Sequence, residues 1–442
     1  MPNRSPQRRH RLVQAAVVLL CLVWIAAIAA AAVALRNQPA ASFLDTELEG
    51  VQEAEEAKAP TVTTEPEPAV EEEVQAEGPC WPIYGRTVNR ASDAADLGHG
   101  IPKTKVWEVR IGIMEFPPSF CDGVLYVNAQ RGTTSALDAE TKKLIWRRQT
   151  AQVYDSTPAV SGQRIIVGSY QPGDIQALDR ATGKTLWKVQ TGGSVESSPI
   201  VVDGIVYATS KDRRVYAIDV ATGKIRWAFR TGGEVKDSPT VVGGIVYIGN
   251  YAAEVFALNA KTGKVVWRNA YGGVLGDRIY SSVPVVGRTA YFTTVRGHIY
   301  AVDSKTGATR WHKQIPGYLY GTPAISGGKL FVGNYPGTFH AYDARTGRDL
   351  WSHNIGGSIS GSATVIGKVV YISSLHGKHT IGYSTSNGRQ VWRIEQGRYV
   401  SGIGTDRALY LSLNDRLSKW TTSKSEAEFG APLVHKPTPA QR

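Results

Sequence analysis

Three cysteines in 442 residues exclude a disulfide-dense miniprotein, and no two of them are adjacent or form a Cys-x-x-Cys pair. Also missing are a His-Glu-x-x-His string, a nucleophile elbow, a phosphate-binding loop and a haem-attachment motif, so the common short signatures of hydrolases, nucleotide-dependent enzymes and cytochromes do not occur. Apolar runs of membrane-spanning length are scarce too. Residues 12–35 form the single one, which excludes a polytopic membrane protein. What is left has an ordinary globular composition, 42% apolar and 20% charged with 46 glycines and 22 prolines. At about three times the roughly 150-residue norm for one domain, the chain is either several domains or one large domain built by repetition.

Charge divides the chain into three regions. Residues 1–36 carry Arg4, Arg8, Arg9, Arg11 and Arg36 and no acid, residues 37–79 carry twelve acids against Lys58 alone, and with a total of +12 residues 80–442 are left at +18. Between Leu12 and Leu35 only Gln14 is polar; as a helix this run extends about 36 Å and crosses a bilayer. Arginines before it and acids after it predict, by the positive-inside rule, a basic cytoplasmic tail over 1–11, a transmembrane signal-anchor over 12–35 and an extracytoplasmic remainder at the cell membrane. A retained anchor is expected over a cleaved signal peptide, although Ala32-Val33-Ala34 resembles a cleavage site, because the run exceeds the roughly 7 to 15 residues of a signal sequence. Val18-Leu19-Leu20 lacks the small residue that precedes a lipidated cysteine such as Cys21 would be, and Arg11 breaks the twin-arginine pattern that Arg8-Arg9 begins. The acidic, Pro-rich stretch 36–79 is too poor in apolar surface to offset the entropy of ordering and predicts a disordered linker; an acidic lure for a basic partner is its other reading. The tail 423–442 is expected to be disordered as well.

Tryptophan then supplies a period. Trp107, Trp146, Trp187, Trp227, Trp267, Trp311, Trp351 and Trp392 are separated by 39, 41, 40, 40, 44, 40 and 41 residues, the mark of one supersecondary unit repeated about an axis. Within the unit 194–233, Ser198 to Val202, Ile205 to Ala208, Val215 to Ile218 and Ile225 to Ala228 read as four short strands, parted by Asp203-Gly204, Lys211-Asp212-Arg213 and Ala221-Thr222-Gly223-Lys224. Four antiparallel strands per repeat make the blade of a β-propeller. Seven tryptophans close complete units. The stretch from Tyr399 to Thr422 holds three strands without a fourth, and Lys103 to Arg110 has the fourth-strand signature alone. The two fragments predict a composite eighth blade that joins the chain ends over an all-β domain spanning 80–422.

The string Ala-x-Asp-x-x-Thr-Gly-Lys-x-x-Trp, nearly intact from Ala177 to Trp187 and from Ala217 to Trp227, resembles the docking repeat of pyrroloquinoline-quinone-type propellers, which include BamB-like assembly proteins and quinoprotein dehydrogenases. It recurs with small changes at Asn259 to Trp267, Asp303 to Trp311 and Asp343 to Trp351; the first copy has Lys142 in place of Gly, and the seventh has Tyr383-Ser384 and Asn387-Gly388. No docking Trp is followed by Asp, so WD-repeat propellers fit worse. Trp81-Pro82-Ile83-Tyr84-Gly85, continuing to Asn89-Arg90, resembles the family's lead-in. On the exported side Cys80, in that lead-in, and Cys121, ending the first strand of blade one, are expected to form a disulfide rather than two buried thiols.

The repeated Asp138, Asp179, Asp219, Asp303 and Asp343 read as turn caps rather than catalysts, since each recurs at one place in the blade. The tryptophans read as plates docked between blades. His376-x-x-His379 reads as a solvated turn without a third metal ligand nearby. Loops from one blade's fourth strand to the next blade's first gather at one funnel mouth and supply Tyr154, Asp155, Glu196, Lys236, Asp237, Asp277, Arg278, Tyr280, Tyr318, Tyr320, Arg398 and Tyr399, with an insertion at 274–279. That aromatic, mixed-charge set suits a peptide, glycan or aromatic ligand. Quinoprotein dehydrogenases hold their quinone over adjacent disulfide-bonded cysteines, with calcium on Glu, Asn and Asp from blade insertions; adjacent cysteines are missing here, so the resemblance carries over no catalytic residue. The expectation is a non-catalytic scaffold without cofactor or metal, docking a protein or an anionic envelope polymer and not nucleic acid. A degenerate quinone-dependent oxidoreductase and a ligand sensor are the rival readings.

Overall fold

The computed structural model describes residues 80–97, 101–154, 156–271, 276–399, 402–405 and 408–421. The expected cytoplasmic tail, transmembrane helix, linker and C-terminal tail lie outside the described residues, as does Asp155. Eight separate antiparallel sheets make an all-β eight-bladed propeller. Blade three is Ile200–Val202, Ile205–Ser210, Arg214–Asp219 and Ile225–Arg230, paired in sequence order. Blade eight has the order Ile403–Gly404, Leu409–Ser412, Arg416–Thr421 and Thr104–Arg110, so the N-terminal strand completes the C-terminal sheet as expected. Two sheets depart from four strands. Val153–Tyr154 adds to the second strand of blade two, and Asp93–Ala94 adds a parallel strand to blade seven.

In blades one to six the third and fourth strands are joined by the same turn, as blade three shows. Asp219 Oδ1 accepts from the N–H groups of Ala221 (3.1 Å) and Thr222 (2.9 Å) and from the Thr222 hydroxyl (2.8 Å), and Gly223 takes a left-handed φ of 74°. The Trp187 plate of the preceding blade lies over that glycine, so a Cβ there would come within 2.8 Å of the indole. Turn conformation and blade docking thus ask for the same residue. In blade one Lys142 adopts a φ of 58° without that freedom.

Six indole N–H groups donate to a carbonyl of the next blade: Trp107 to Ala139 (3.2 Å), and Trp146, Trp187, Trp227, Trp267 and Trp311 to Arg180, Val220, Ala260, Ser304 and Ala344 (2.9 Å each). Trp351 Nε1 is buried without an acceptor. His353, on the same outer strand of blade six, instead meets the Gly388 carbonyl of the divergent seventh blade (2.7 Å) and stacks on its Tyr383. Trp392 sits edge-on to Trp420 at the closing seam.

The lead-in does more than begin the ring. A first strand has its inner edge toward the central channel, where backbone groups need partners. Residues 80–97 supply them blade by blade. Trp81 exchanges two bonds with Phe120 of blade one (2.7 and 2.8 Å), and the Pro82 carbonyl accepts from Val160 of blade two (2.8 Å). Val88, Asn89, Ala91 and Ser92 carbonyls accept from Val241, Val285, Ile325 and Val365 of blades four to seven at 3.2, 3.0, 2.9 and 3.0 Å. At their centre Arg90 is fully buried and donates to the carbonyls of Tyr84 (2.8 Å), Ser198 (2.8 Å) and Pro239 (2.5 Å). The Cys80–Cys121 disulfide, with Cα atoms 4.4 Å apart, fixes the start of this segment to blade one.

Candidate functional site: the funnel mouth

An arc of hydroxyls, one from each of blades two to seven, lines the throat of the propeller. The backbone N–H groups of Thr157, Ser198, Ser282 and Thr322 donate to the side-chain oxygens of Ser198 (2.9 Å), Ser238 (2.8 Å), Thr322 (2.9 Å) and Ser362 (2.7 Å) of the following blade. Ser362 Oγ also meets the Tyr84 hydroxyl at 2.6 Å. Tyr84 belongs to the lead-in, so that segment floors a cavity of about 230 Å³ lined by Glu115, Phe116, Lys236, Tyr280, Tyr320 and Tyr399 with the hydroxyls beneath.

Above it, aromatic rings run along one side. Tyr251 stacks on Tyr280 (centroids 4.8 Å), Tyr280 lies 5.8 Å from Tyr320, Tyr320 meets Tyr335 edge-on at 5.6 Å, and Tyr335 meets His376 at 6.2 Å. Tyr318, 53% exposed, stands 6.2 Å from Tyr320 at the rim. The aromatic arc therefore spans blades four to seven, built from mouth loops (Tyr280, Tyr320) and from the turns between second and third strands (Tyr251, Tyr335, His376). Burial, then the neighbouring Tyr280 and Glu196, push the Tyr251 phenol well up, and burial and Tyr280 raise Tyr320, so these hydroxyls stay protonated donors at neutral pH.

Cations edge the arc. Arg278 lies 5.4 Å from the Tyr251 ring and Lys236 Nζ 5.5 Å from the Tyr280 ring, distances at which an aromatic face attracts a cation. The buried Glu196 carboxylate pairs with Lys236 (2.5 Å) and with Lys211, whose ammonium also faces Tyr170. Burial alone would lower the Lys211 pKa, but Glu196 outweighs it and the net shift is upward. One carboxylate thus holds two ammonium groups, leaving this side of the mouth net positive.

Of the residues expected at the mouth, Lys236, Tyr280, Tyr320 and Tyr399 line the cavity, and Glu196, Arg278 and Tyr318 surround it. Tyr154 does not belong there. It is buried in an extra strand against blade two, because Arg164–Gln171 is long enough to pair with Val153–Tyr154, and its hydroxyl meets Thr150. Asp277 is buried and turned to its own surroundings, accepting from the Arg278 N–H (2.8 Å) and the Arg296 N–H (3.1 Å). Asp237 is also buried; its Oδ2 accepts from Gly249 N–H at 2.5 Å while Oδ1 has no partner, and burial raises its pKa well above the usual carboxylate range against the opposing pull of Gly249 and Arg90. Arg398 caps Asn414 Oδ1 (2.8 Å) and covers Tyr399 at 5.0 Å.

Sequence reading missed Tyr84, Glu115, Tyr251, Tyr335 and the throat hydroxyls. A signal for the last existed: Thr157, Ser198, Ser238, Ser282, Thr322 and Ser362 repeat at the tryptophan period, most of them just before Pro. Of His376 and His379, the first is exposed in the arc and the second is buried, its Nδ1 at 3.1 Å from the Gly377 carbonyl. Among the described residues the one grouping of three metal-type ligands is Cys80, Cys121 and Asp122, which is the disulfide itself beside a carboxylate that Arg180 holds at 2.8 Å.

Fold and repeat define a β-propeller with PQQ-like blades. The chain belongs to the family described as outer membrane protein assembly factor BamB, which it matches over residues 101–171 and 171–393. Among solved structures it is similar to BamB from Moraxella catarrhalis (18% identity, 72% of this chain and 99% of that one, TM-score 0.61). It is also similar to a europium-containing methanol dehydrogenase (15%, 75% and 89%, TM-score 0.64) and to the quinohemoprotein alcohol dehydrogenase of Comamonas testosteroni (14%, 78% and 80%, TM-score 0.62). Identities this low show a shared fold. No curated protein matches the chain in sequence.

Proposed function

We propose that this chain is a non-catalytic binding scaffold, anchored in the cell membrane through residues 12–35, whose propeller lies outside the cytoplasm and docks a protein or envelope partner at the funnel mouth. The arc of Tyr251, Tyr280, Tyr320 and Tyr335, edged by Lys236 and Arg278, carries this reading. Tyrosine offers a large apolar face at low entropic cost together with a hydroxyl for hydrogen bonding, the composition found at the centre of protein interfaces. BamB, an assembly factor by its family description, supplies the functional analogy.

The chemistry of the cavity also supports binding over oxidation. A quinone–calcium centre draws on several carboxylate and amide ligands, but among the described residues Glu115 is the one carboxylate on the cavity wall, and it accepts from the Gln130 side-chain amide. The cysteines of the propeller are paired at the lead-in. These residues do not fit the group.

Two measurements test the reading. A photoreactive phenylalanine analogue at Tyr318, in intact cells, is expected to crosslink one discrete partner, whereas the same analogue at Lys224 on the opposite turns is not; equal, diffuse labelling from both positions would defeat the mouth as a docking face. Calorimetric titration of the full-length chain with pyrroloquinoline quinone and calcium is expected to give no saturable heat. Tight calcium-dependent binding would instead establish the oxidoreductase reading.

A further inference from the structure

A second site lies beside the funnel cavity, at the seam where blade eight meets blade one; Gln130 on its wall donates to Glu115 of the cavity, and Arg398 donates to its Asn414. The groove there has a volume of about 780 Å³. Its floor is Ile111 to Ile113, the connection leaving the N-terminal strand; one wall is the Asn414-Asp415 turn of blade eight, and the other is the turn at Gln130-Arg131 with Arg147 from the outer strand of blade one. Backbone bonds tie these pieces together: Ile111 N–H to Asp415 O (3.0 Å), Met114 N–H to Asn414 O (2.8 Å) and Gln130 N–H to Ile113 O (2.8 Å). Gln149 donates its side-chain amide to the Arg131 carbonyl (2.6 Å), fixing the backbone from which that guanidinium projects.

Three guanidinium groups, from three chain segments, line the groove. Asp415 is the single acid among the lining residues, and it is engaged by Arg110 (2.7 Å) and approached by Arg416 (3.9 Å). Arg147 spends only its Nε, on Ser135 Oγ (3.0 Å), and among the described residues neither Arg147 nor Arg131 meets a carboxylate. Their planar forks are suited to bidentate carboxylate contacts. Beside them, on the floor, Ile113 is 39% exposed, an apolar contact within a basic groove. A small inorganic anion would leave the isoleucine without a partner. An extended chain carrying carboxylates and a neighbouring apolar side chain uses all of these features.

We propose that the seam groove binds an acidic peptide segment, with Arg131 and Arg147 pairing its carboxylates and Ile113 taking a neighbouring apolar side chain. The site shares no lining residue with the funnel cavity and does not require the scaffold reading given above.

The test is fluorescence anisotropy of the full-length chain with a labelled peptide in which glutamates flank a single leucine. Binding is expected to weaken by a few-fold to about tenfold in the double variant Arg131→Gln/Arg147→Gln, as expected for losing two solvent-exposed charge pairs, and to remain at the wild-type level in Lys143→Gln/Lys184→Gln, which removes the same charge from the opposite turns. All four side chains are exposed, so folding is retained, and the unchanged melting temperature of each variant checks this. Ile113→Ser should weaken the leucine peptide but not a serine-substituted one. Equal loss in both double variants, or no binding by the wild type, would overturn the site. Displacement by tripolyphosphate as effective as by unlabelled peptide would overturn the peptide assignment in favour of a phosphate polymer.

Discussion

Replacing Arg90 by methionine should loosen the whole inner face of the propeller rather than one blade. The side chain is fully buried, and burial brings its pKa down to about 10, which still leaves it charged at neutral pH. It serves three carbonyls, on Tyr84, Ser198 and Pro239, at 2.5 to 2.8 Å. Methionine keeps much of the stem and removes every donor. Each lost bond to a charged donor is worth about 1.5 to 3 kcal/mol, part of it returned because the guanidinium no longer has to be desolvated, which leaves a net loss of about 3 to 5 kcal/mol. For a domain of this size that is a fall of about 6 °C in melting temperature. Arg90→Lys, whose single ammonium cannot face three carbonyls on different sides, should lose about half as much. Hydrogen exchange gives the sharper readout. The N–H groups of Val160, Val241, Val285, Ile325 and Val365, all bonded to lead-in carbonyls, should accelerate together in Arg90→Met while outer ladders stay protected. A variant within about 1 kcal/mol of wild type, or acceleration limited to blade three, would refute the lead-in as a common hub.

Other perturbations follow from the same geometry. Gly223→Ala meets both a left-handed φ and the Trp187 plate, and should cost about 2 to 3 kcal/mol by chemical denaturation, whereas Lys142→Gly, relieving a residue held at a φ of 58°, should stabilise by about 0.5 to 1 kcal/mol. Converting Cys80 and Cys121 to serine opens a 41-residue link and should lower stability by about 4 kcal/mol, seen as a lower denaturation midpoint that reducing agent no longer shifts. Asp237 has a carboxyl pKa raised well above the usual carboxylate range by burial, so the folded state holds a proton that the unfolded chain releases above about pH 4, and stability is lost as pH rises toward the folded pKa. Asp237→Asn should flatten that part of the stability–pH curve, and an unchanged slope between about pH 4 and 7 would rule the group out as its source.

What could be read from the sequence followed from periodicity, and what could not lay outside it. Tryptophan spacing reported eight blades because each indole except Trp392, which packs on Trp420 at the closing seam, docks on the turn of the next blade. The half-units at the two ends foretold the seam, where Thr104–Arg110 pairs with Arg416–Thr421. The same spacing brought Lys236, Tyr280, Tyr320 and Tyr399 to one mouth. It misplaced Tyr154, because a second strand longer than its counterparts captured that residue, and it could not tell that Asp277 would be turned to backbone N–H groups around it. Tyr251 and Tyr335 escaped notice because they come from turns between second and third strands, a different part of the repeat that the fold raises to the same face. Least visible was the lead-in. Its carbonyls meet six blades although its residues have no repeat of their own, since a strand edge asks only for backbone partners and leaves side-chain identity unspecified except at Arg90, where three carbonyls converge on one guanidinium. That is also why the floor of the funnel is set by Tyr84, a residue outside every blade: the ring determines the width of the throat, and the non-repeating segment that crosses it determines where the throat ends.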